Sequence, residues 1–402
     1  MRTTPLGRRL TVLVALAAIW AVSAYFLWES KVPTSLSLPN LDPRAFFSAH
    51  TISRASDFEQ FLELTWIGQE IMLILVFVAY ARWGTSFMKD SAAGRVGTGI
   101  FLAMMGFALT WFVQLPFEIL DTWWEKRYGV LDVSYPAVIF GGWLGLGFTF
   151  LSLSVAVAIV MGIAAKLRRL WWVAAVPVFV AIMLLQTFVG PYLEPSHSLN
   201  DPQLVAAVKR IEKKEGVSGV PVVVQDVHQF TPEENAFADG LGPSRKIFLW
   251  DTLFRNGLTE KQLEAIVAHE AGHHARDHLW KDIAWYALFA FPLAYLIALA
   301  TRRRGGIYRP ESIPLALLVV VLFDLAALPV QNAISRHYEG EADWMSLQTT
   351  RDPQALQGVM QHFGNHDLSD PNPPTWAYIL FENHPTLMQR IAMAKAWQAR
   401  NR

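Results

Sequence analysis

Five stretches of this chain contain no Asp, Glu, Lys or Arg: Leu10 to Trp28, Val96 to Phe117, Val133 to Ala165, Leu170 to Leu193 and Ile283 to Thr301. Each can cross a hydrocarbon layer of about 30 Å, which takes about 20 helical residues. A backbone in such a layer has to satisfy its own hydrogen bonds, so these segments are predicted helices. Phe61 to Ala81 and Ser312 to Ser335 are apolar around one carboxylate each, Glu70 and Asp324, and bring the expected spans to seven. The first stretch follows Arg2, Arg8 and Arg9 as a leader peptide would, but it continues through Tyr25, Phe26, Leu27 and Trp28. That aromatic ending fits a retained helix at a membrane interface.

Charge returns between Glu194 and Asp282. Asn200 to Glu215 sets Leu204, Val205, Val208 and Ile211 at helical spacing, opened by Asp201-Pro202 and closed by Gly216. Val220 to Val224 and Lys246 to Trp250 read as short strands. After the Asn256-Gly257 turn, Thr259 and Gln262 form a capping pair opening a helix that runs through His273. Arg336 to Arg402 is polar and helical, broken by a Pro-rich loop at Asp370 to Pro374. The expectation is a mainly α membrane protein with a small α+β domain. Its parts are a five-helix membrane region at 1–193, the α+β domain at 194–282, two further spans at 283–335 and a helical carboxyl-terminal part at 336–402.

Counted over seven spans, one set of short loops carries thirteen Lys and Arg, Arg2, Lys89 and Arg302 to Arg304 among them, and the opposite set carries five. Lys and Arg are retained on the cytoplasmic side, so the amino terminus is expected there and the polar block outside. A net charge of zero, with no basic stripe, argues against a nucleic-acid partner. With no cysteine, any transition-metal site has to be built from His, Asp and Glu.

His269-Glu270-Ala271-Gly272-His273 is the H-E-x-x-H pattern, and it falls inside the expected helix. Residues four apart share a helix face, so both imidazoles can reach one zinc ion. Glu270 is turned about 100° away and can take a proton from a water that zinc activates. With 11 His and 34 acidic residues in 402, a random chain would carry this pattern roughly 0.03 times. His274 and His278 are also four apart, but no carboxylate immediately follows His274, so that pair is expected at the surface or behind the ligands. A catalytic zinc of this type needs a third protein ligand. In a helical Ser335 to Asp343, Arg336, Glu339 and Asp343 share a face while Glu341 points about 160° from Glu339. Glu339 is therefore the expected ligand, with Asp343 placed to orient an imidazole.

These residues resemble the type I CAAX prenyl endopeptidase family, membrane-embedded zinc proteases with seven transmembrane helices. The family's S-R-x-x-E-x-x-A-D pattern is complete as Ser335, Arg336, Glu339, Ala342 and Asp343. Leu115-Pro116-Phe117 and Glu125 to Gly129 resemble its membrane signature, and Asn235-Ala236-Phe237 with Lys246 to Leu253 resembles its edge strand. The resemblance implies a zincin-like catalytic domain and helices enclosing a water-filled chamber, which Glu70 and Asp324 would face. It also implies that Asn235, Ala236 and Phe237 bind an extended substrate through the main chain. His384, in a late His-Pro element, would donate to the oxyanion, and Arg390 would steady a carboxylate near the metal. His50, His362 and His366 match nothing in the family pattern.

The implied activity is zinc-dependent hydrolysis of a peptide or protein, plain or lipid-modified. The charge count favours a bacterial plasma-membrane enzyme working outside the cytosol, where prenylated peptides are not made. Two other readings share the motif: a membrane quality-control metalloprotease, and a membrane protein that binds zinc without hydrolysis. Five spans ahead of the motif count against the first, and Glu270 against the second.

Overall fold

The computed structural model describes residues 5–87, 93–131, 134–141, 143–229 and 231–401. Arg2, Lys89 and Val133, used above, lie outside them. The amino-terminal half is helical: α1 (Pro5–Leu27), α2 (Ala49–Trp83), α3 (Gly94–Tyr128), α4 (Tyr135–Gly141), α5 (Trp143–Leu167) and α6 (Trp171–Leu193). The polar block then forms β1 (His197–Ser198), α7 (Pro202–Glu215), β2 (Val222–Gln225), β3 (Ala236–Asp239), β4 (Lys246–Trp250) and α8 (Glu260–Ala275). Two long helices follow, α9 (His278–Thr301) and α10 (Ile313–Thr350), and the chain closes with α11 (Pro353–His366), α12 (Thr375–Leu380) and α13 (Leu387–Arg400).

Among the described residues, five stretches are long and apolar enough to cross a membrane: 49–86, 94–128, 149–193, 278–304 and 310–350. The third takes in both α5 and α6, which separate at a turn where Arg168 has φ +50°. α3, α6, α9 and α10 each run through proline, which membrane helices tolerate because neighbours satisfy the freed carbonyls. Their packing is close where glycine allows it. A Cβ on Gly99 would sit 2.3 Å from Met161 Sδ, and one on Gly106 would sit 2.4 Å from Leu317 Cδ1. These contacts tie α3 to α5 and to α10.

Local signals in the polar block act as read. Asp201 accepts from the amides of Gln203 and Leu204 at 2.9 and 3.1 Å, and Gly216 closes α7 at φ +75°. Thr259 and Gln262 cap α8 reciprocally, the Thr259 amide donating to Gln262 Oε1 at 2.7 Å. The sheet order is β1-β2-β4-β3, with β2 and β4 parallel and β3 antiparallel to β4, which leaves β3 an edge strand. A core of Leu204, Ile247, Leu249, Leu253, Leu347 and Ile391 joins sheet, α7, α8, α10 and α13.

α10 is a single 38-residue helix, about 57 Å long at 1.5 Å per residue. It exceeds a hydrocarbon layer by nearly half its length. The change of composition at residue 335 therefore falls inside one rod, which carries Glu339 and Asp343 out of the apolar zone. α9 likewise spans the composition change at residue 282.

Candidate active site

α8 and α10 cross at their small residues. A Cβ on Gly272 would lie 3.0 Å from Met345 Cβ and 3.4 Å from Ala342 Cα, so the two backbones approach closely there. That approach brings the two imidazoles of α8 to the carboxylate of α10. His269 Nε2 lies 3.0 Å from Glu339 Oε2 and 3.2 Å from His273 Nε2, and His273 Nε2 lies 3.6 Å from Glu339 Oε1. All three ligand atoms fall within 4.8 Å of one another. Donors bound tetrahedrally at about 2.0–2.1 Å stand about 3.3 Å apart, so the trio fits one metal ion.

Groups behind the trio fix its orientation. His269 Nδ1 meets Asp343 Oδ1 at 2.9 Å, and Arg390 grips both oxygens of Asp343 at 2.7 Å. This turns Nε2 of His269 toward the ion site. His273 Nδ1 lies 3.0 Å from His278 Nδ1, and His278 Nε2 lies 3.1 Å from Glu341 Oε2. Glu341 is fully buried and also accepts from Arg276 Nε at 2.8 Å and from the Lys31 amide at 2.6 Å. Burial pushes the His273 imidazole down to about 3, which keeps it in the neutral form that binds metal. Burial likewise pushes the Glu270 carboxyl up to about 7, against the opposing pull of His269.

The other expected residues fall around this cluster. His384 Nε2 stands 3.2 Å from Glu339 Oε2 with its ring half exposed. Arg336 Nη1 donates to the carbonyls of Tyr378, at 2.9 Å, and of Glu382, two residues before His384. Asn235 and Ala236 line a cavity of about 350 Å³ together with His269, Glu270, His384 and Arg390. The Trp250 amide donates to the Asn235 carbonyl at 3.0 Å, so residues 235 and 250 form a hydrogen-bonded pair of the antiparallel ladder. Alternation then commits Phe237 to β4 and turns the main-chain groups of Ala236 and Ala238 to the open edge. The Ala238 amide reaches Glu270. The Phe237 ring stacks on Phe248, with centroids 4.8 Å apart.

Glu341 and Arg276 escaped the reading of the sequence as partners, whereas His278, expected at the surface or behind the ligands, stands behind His273. His278 sits beyond a break in the helix at Asp277, whose φ is +54°, so no helical spacing relates it to His273. Glu341 does leave α10 on the side away from Glu339, but buried cations and amides await it there. His274 is buried and structural: Nε2 donates to the Lys246 carbonyl at 3.0 Å. His362 pairs with buried Glu234 at 2.8 Å.

The chain is similar to several known proteins. A family model described as Peptidase family M48 matches residues 198–398. The uncharacterized metalloprotease YhfN of Bacillus subtilis is 23% identical across 92% of this chain and 93% of its own length. A CAAX prenyl protease 1 homologue of rice is 24% identical over 46% of each chain, and a protease HtpX homologue of Methylibium petroleiphilum is 30% identical over 40% of this chain and 64% of its own. The crystal structure of Ste24p from S. mikatae has the same fold, with a TM-score of 0.72 at 19% identity, covering 98% of this chain and 100% of that one. The reading as a membrane protein that binds metal without hydrolysis falls with these matches. With half its length matched and its metal-binding trio assembled, the chain belongs to peptidase family M48 and is a membrane metalloprotease.

Proposed function

We propose that the metal is zinc and that the enzyme is an endopeptidase cutting an extended peptide laid along β3. The observation that carries this is the convergence of His269, Glu270, His273 and Glu339 beside the open edge of that strand. Zinc, when bound, supplies a Lewis acid that polarises the scissile carbonyl and lowers the pKa of water toward about 7. Ala236, through its amide and carbonyl, and Ala238, through its carbonyl, hold the peptide by main-chain hydrogen bonds, which fixes its backbone and leaves its side chains free to vary. Glu270 takes a proton from the attacking water and delivers it to the leaving amine. His384 donates to the carbonyl oxygen as negative charge gathers there. Asp343 and Arg390 hold His269 in register, and Arg336 anchors the turn that presents His384.

All seven long helices are read as spans, with the amino terminus in the cytoplasm and the polar block outside a bacterial plasma membrane. Thirteen basic residues on one set of loops against five on the other support this orientation. The helices enclose an aqueous chamber, in keeping with the carboxylates of Glu70 and Asp324 at membrane depth. A cavity of about 290 Å³ on the other side of the trio is lined by Trp285, Tyr286, Phe289 and Tyr338. Its aromatic walls suit apolar side chains or a prenyl group. Peptides made outside the cytosol carry no prenyl group, so lipid modification is accepted and not required.

Glu270→Gln separates binding from chemistry. The variant is expected to keep one zinc per chain and to lose cleavage, so that peptide termini produced by the wild type vanish from mass spectra of membranes. Unchanged turnover in the variant would reject the mechanism.

A further inference from the structure

A third cavity, of about 610 Å³, is lined by Arg95, Arg168, Arg169, Arg302 and Arg309. Arg302 follows the last residue of α9 and His278 is its first, so about 36 Å of helix separates this cavity from the metal cluster. The five guanidinium groups come from three places in the chain: the start of α3, the α5–α6 turn and the α9–α10 loop. Among the described residues no carboxylate lines the cavity and none of the five arginines pairs with one. At the α5–α6 turn Arg168 adopts φ +50°, a left-handed conformation unfavourable for a residue with a Cβ. The turn sets Arg168 and Arg169 together at the cavity.

An apolar cleft of about 250 Å³ runs between α5, α6, α9 and α10, lined by Val157, Val160, Phe179, Ala290 and Leu317 among others. Trp171 and Ile307 line both spaces, so the cleft continues from the arginine cavity along the apolar helix walls. Free phosphate would use only the first space and a hydrocarbon only the second. A charged head joined to an apolar tail uses both.

We propose that cavity and cleft form one site for an anionic glycerophospholipid, with the arginines on its phosphate and an acyl chain in the cleft. Guanidinium groups bind phosphate oxygens in pairs, and the five gathered here complement an anionic headgroup. Apolar walls at that depth complete the match to lipid.

Native mass spectrometry of the intact chain in detergent, titrated with phosphatidylglycerol, phosphatidylcholine and inorganic phosphate, tests the site. One phosphatidylglycerol is expected to stay bound in excess phosphatidylcholine or phosphate. Arg168→Ser combined with Arg302→Ser is expected to weaken it about thirtyfold, each cation near an anionic lipid contributing roughly fivefold. Ala290→Phe fills the cleft, keeps every arginine and is expected to weaken the same lipid, so a defect in charge-dependent insertion cannot account for both results. Equal retention of phosphatidylcholine, displacement by inorganic phosphate, or undiminished binding in either variant overturns the proposal.

Discussion

The two imidazoles of the H-E-x-x-H segment differ in what stands behind them. His269 leans on Asp343, a carboxylate held by Arg390, whereas His273 leans on another imidazole, His278, which rests on buried Glu341. Removing a partner behind a ligand typically costs ten- to a hundredfold in metal affinity. His278→Ala and Glu341→Gln are therefore each expected to weaken zinc binding by about that factor, measured by competition with a chromogenic chelator. Wild-type affinity in both variants would mean that His273 is oriented by something else. At this scale His269 with His273, and Glu339 with Asp343, were legible because helical spacing alone puts each pair on a common face, and Glu270 because it adjoins His269 in the motif. The pairing of His278 with His273 was not, because a left-handed residue at Asp277 intervenes and no periodicity survives such a turn.

Among the elements, the pair α8 and α10 matters most, since the ligands are divided between them. Gly272 is a letter of no consequence in the metal motif, yet it is where the helices touch. Gly272→Leu is expected to push α8 from α10, costing about 1–3 kcal/mol of stability as overpacking does and releasing metal although every ligand is retained. Thermal unfolding and zinc content of the purified variant check this; full zinc with an unchanged midpoint would show that the crossing is slack. The strands were legible as β4 and most of β2, but the direction in which main-chain groups of β3 point was not. One hydrogen bond, from Trp250 to Asn235, sets that register, and it depends on pairing between segments that the sequence does not align.

On the scale of the whole molecule, the chain is a bundle of long apolar helices with the reaction site built where α8, α9 and α10 leave it. Because the chain has no cysteine, a single introduced thiol reports its side cleanly. Lys213→Cys, on the exposed face of α7, is expected to react with a membrane-impermeant maleimide in intact cells. Protection until lysis would put the polar block in the cytosol and reverse the orientation drawn from loop charge. The sequence by itself determined that long apolar helices form, of which five described stretches can cross a membrane, since charge-free runs of that length have few other homes, and it determined which candidate ligands share a helix face, since period and spacing are local properties. Tertiary structure alone decided which glycine sets the helix crossing, which imidazole stands behind His273, which main-chain groups of β3 face its open edge and where five arginines from three parts of the chain converge. Those are distances between residues far apart in the chain, and they follow from packing of the whole and not from any local period.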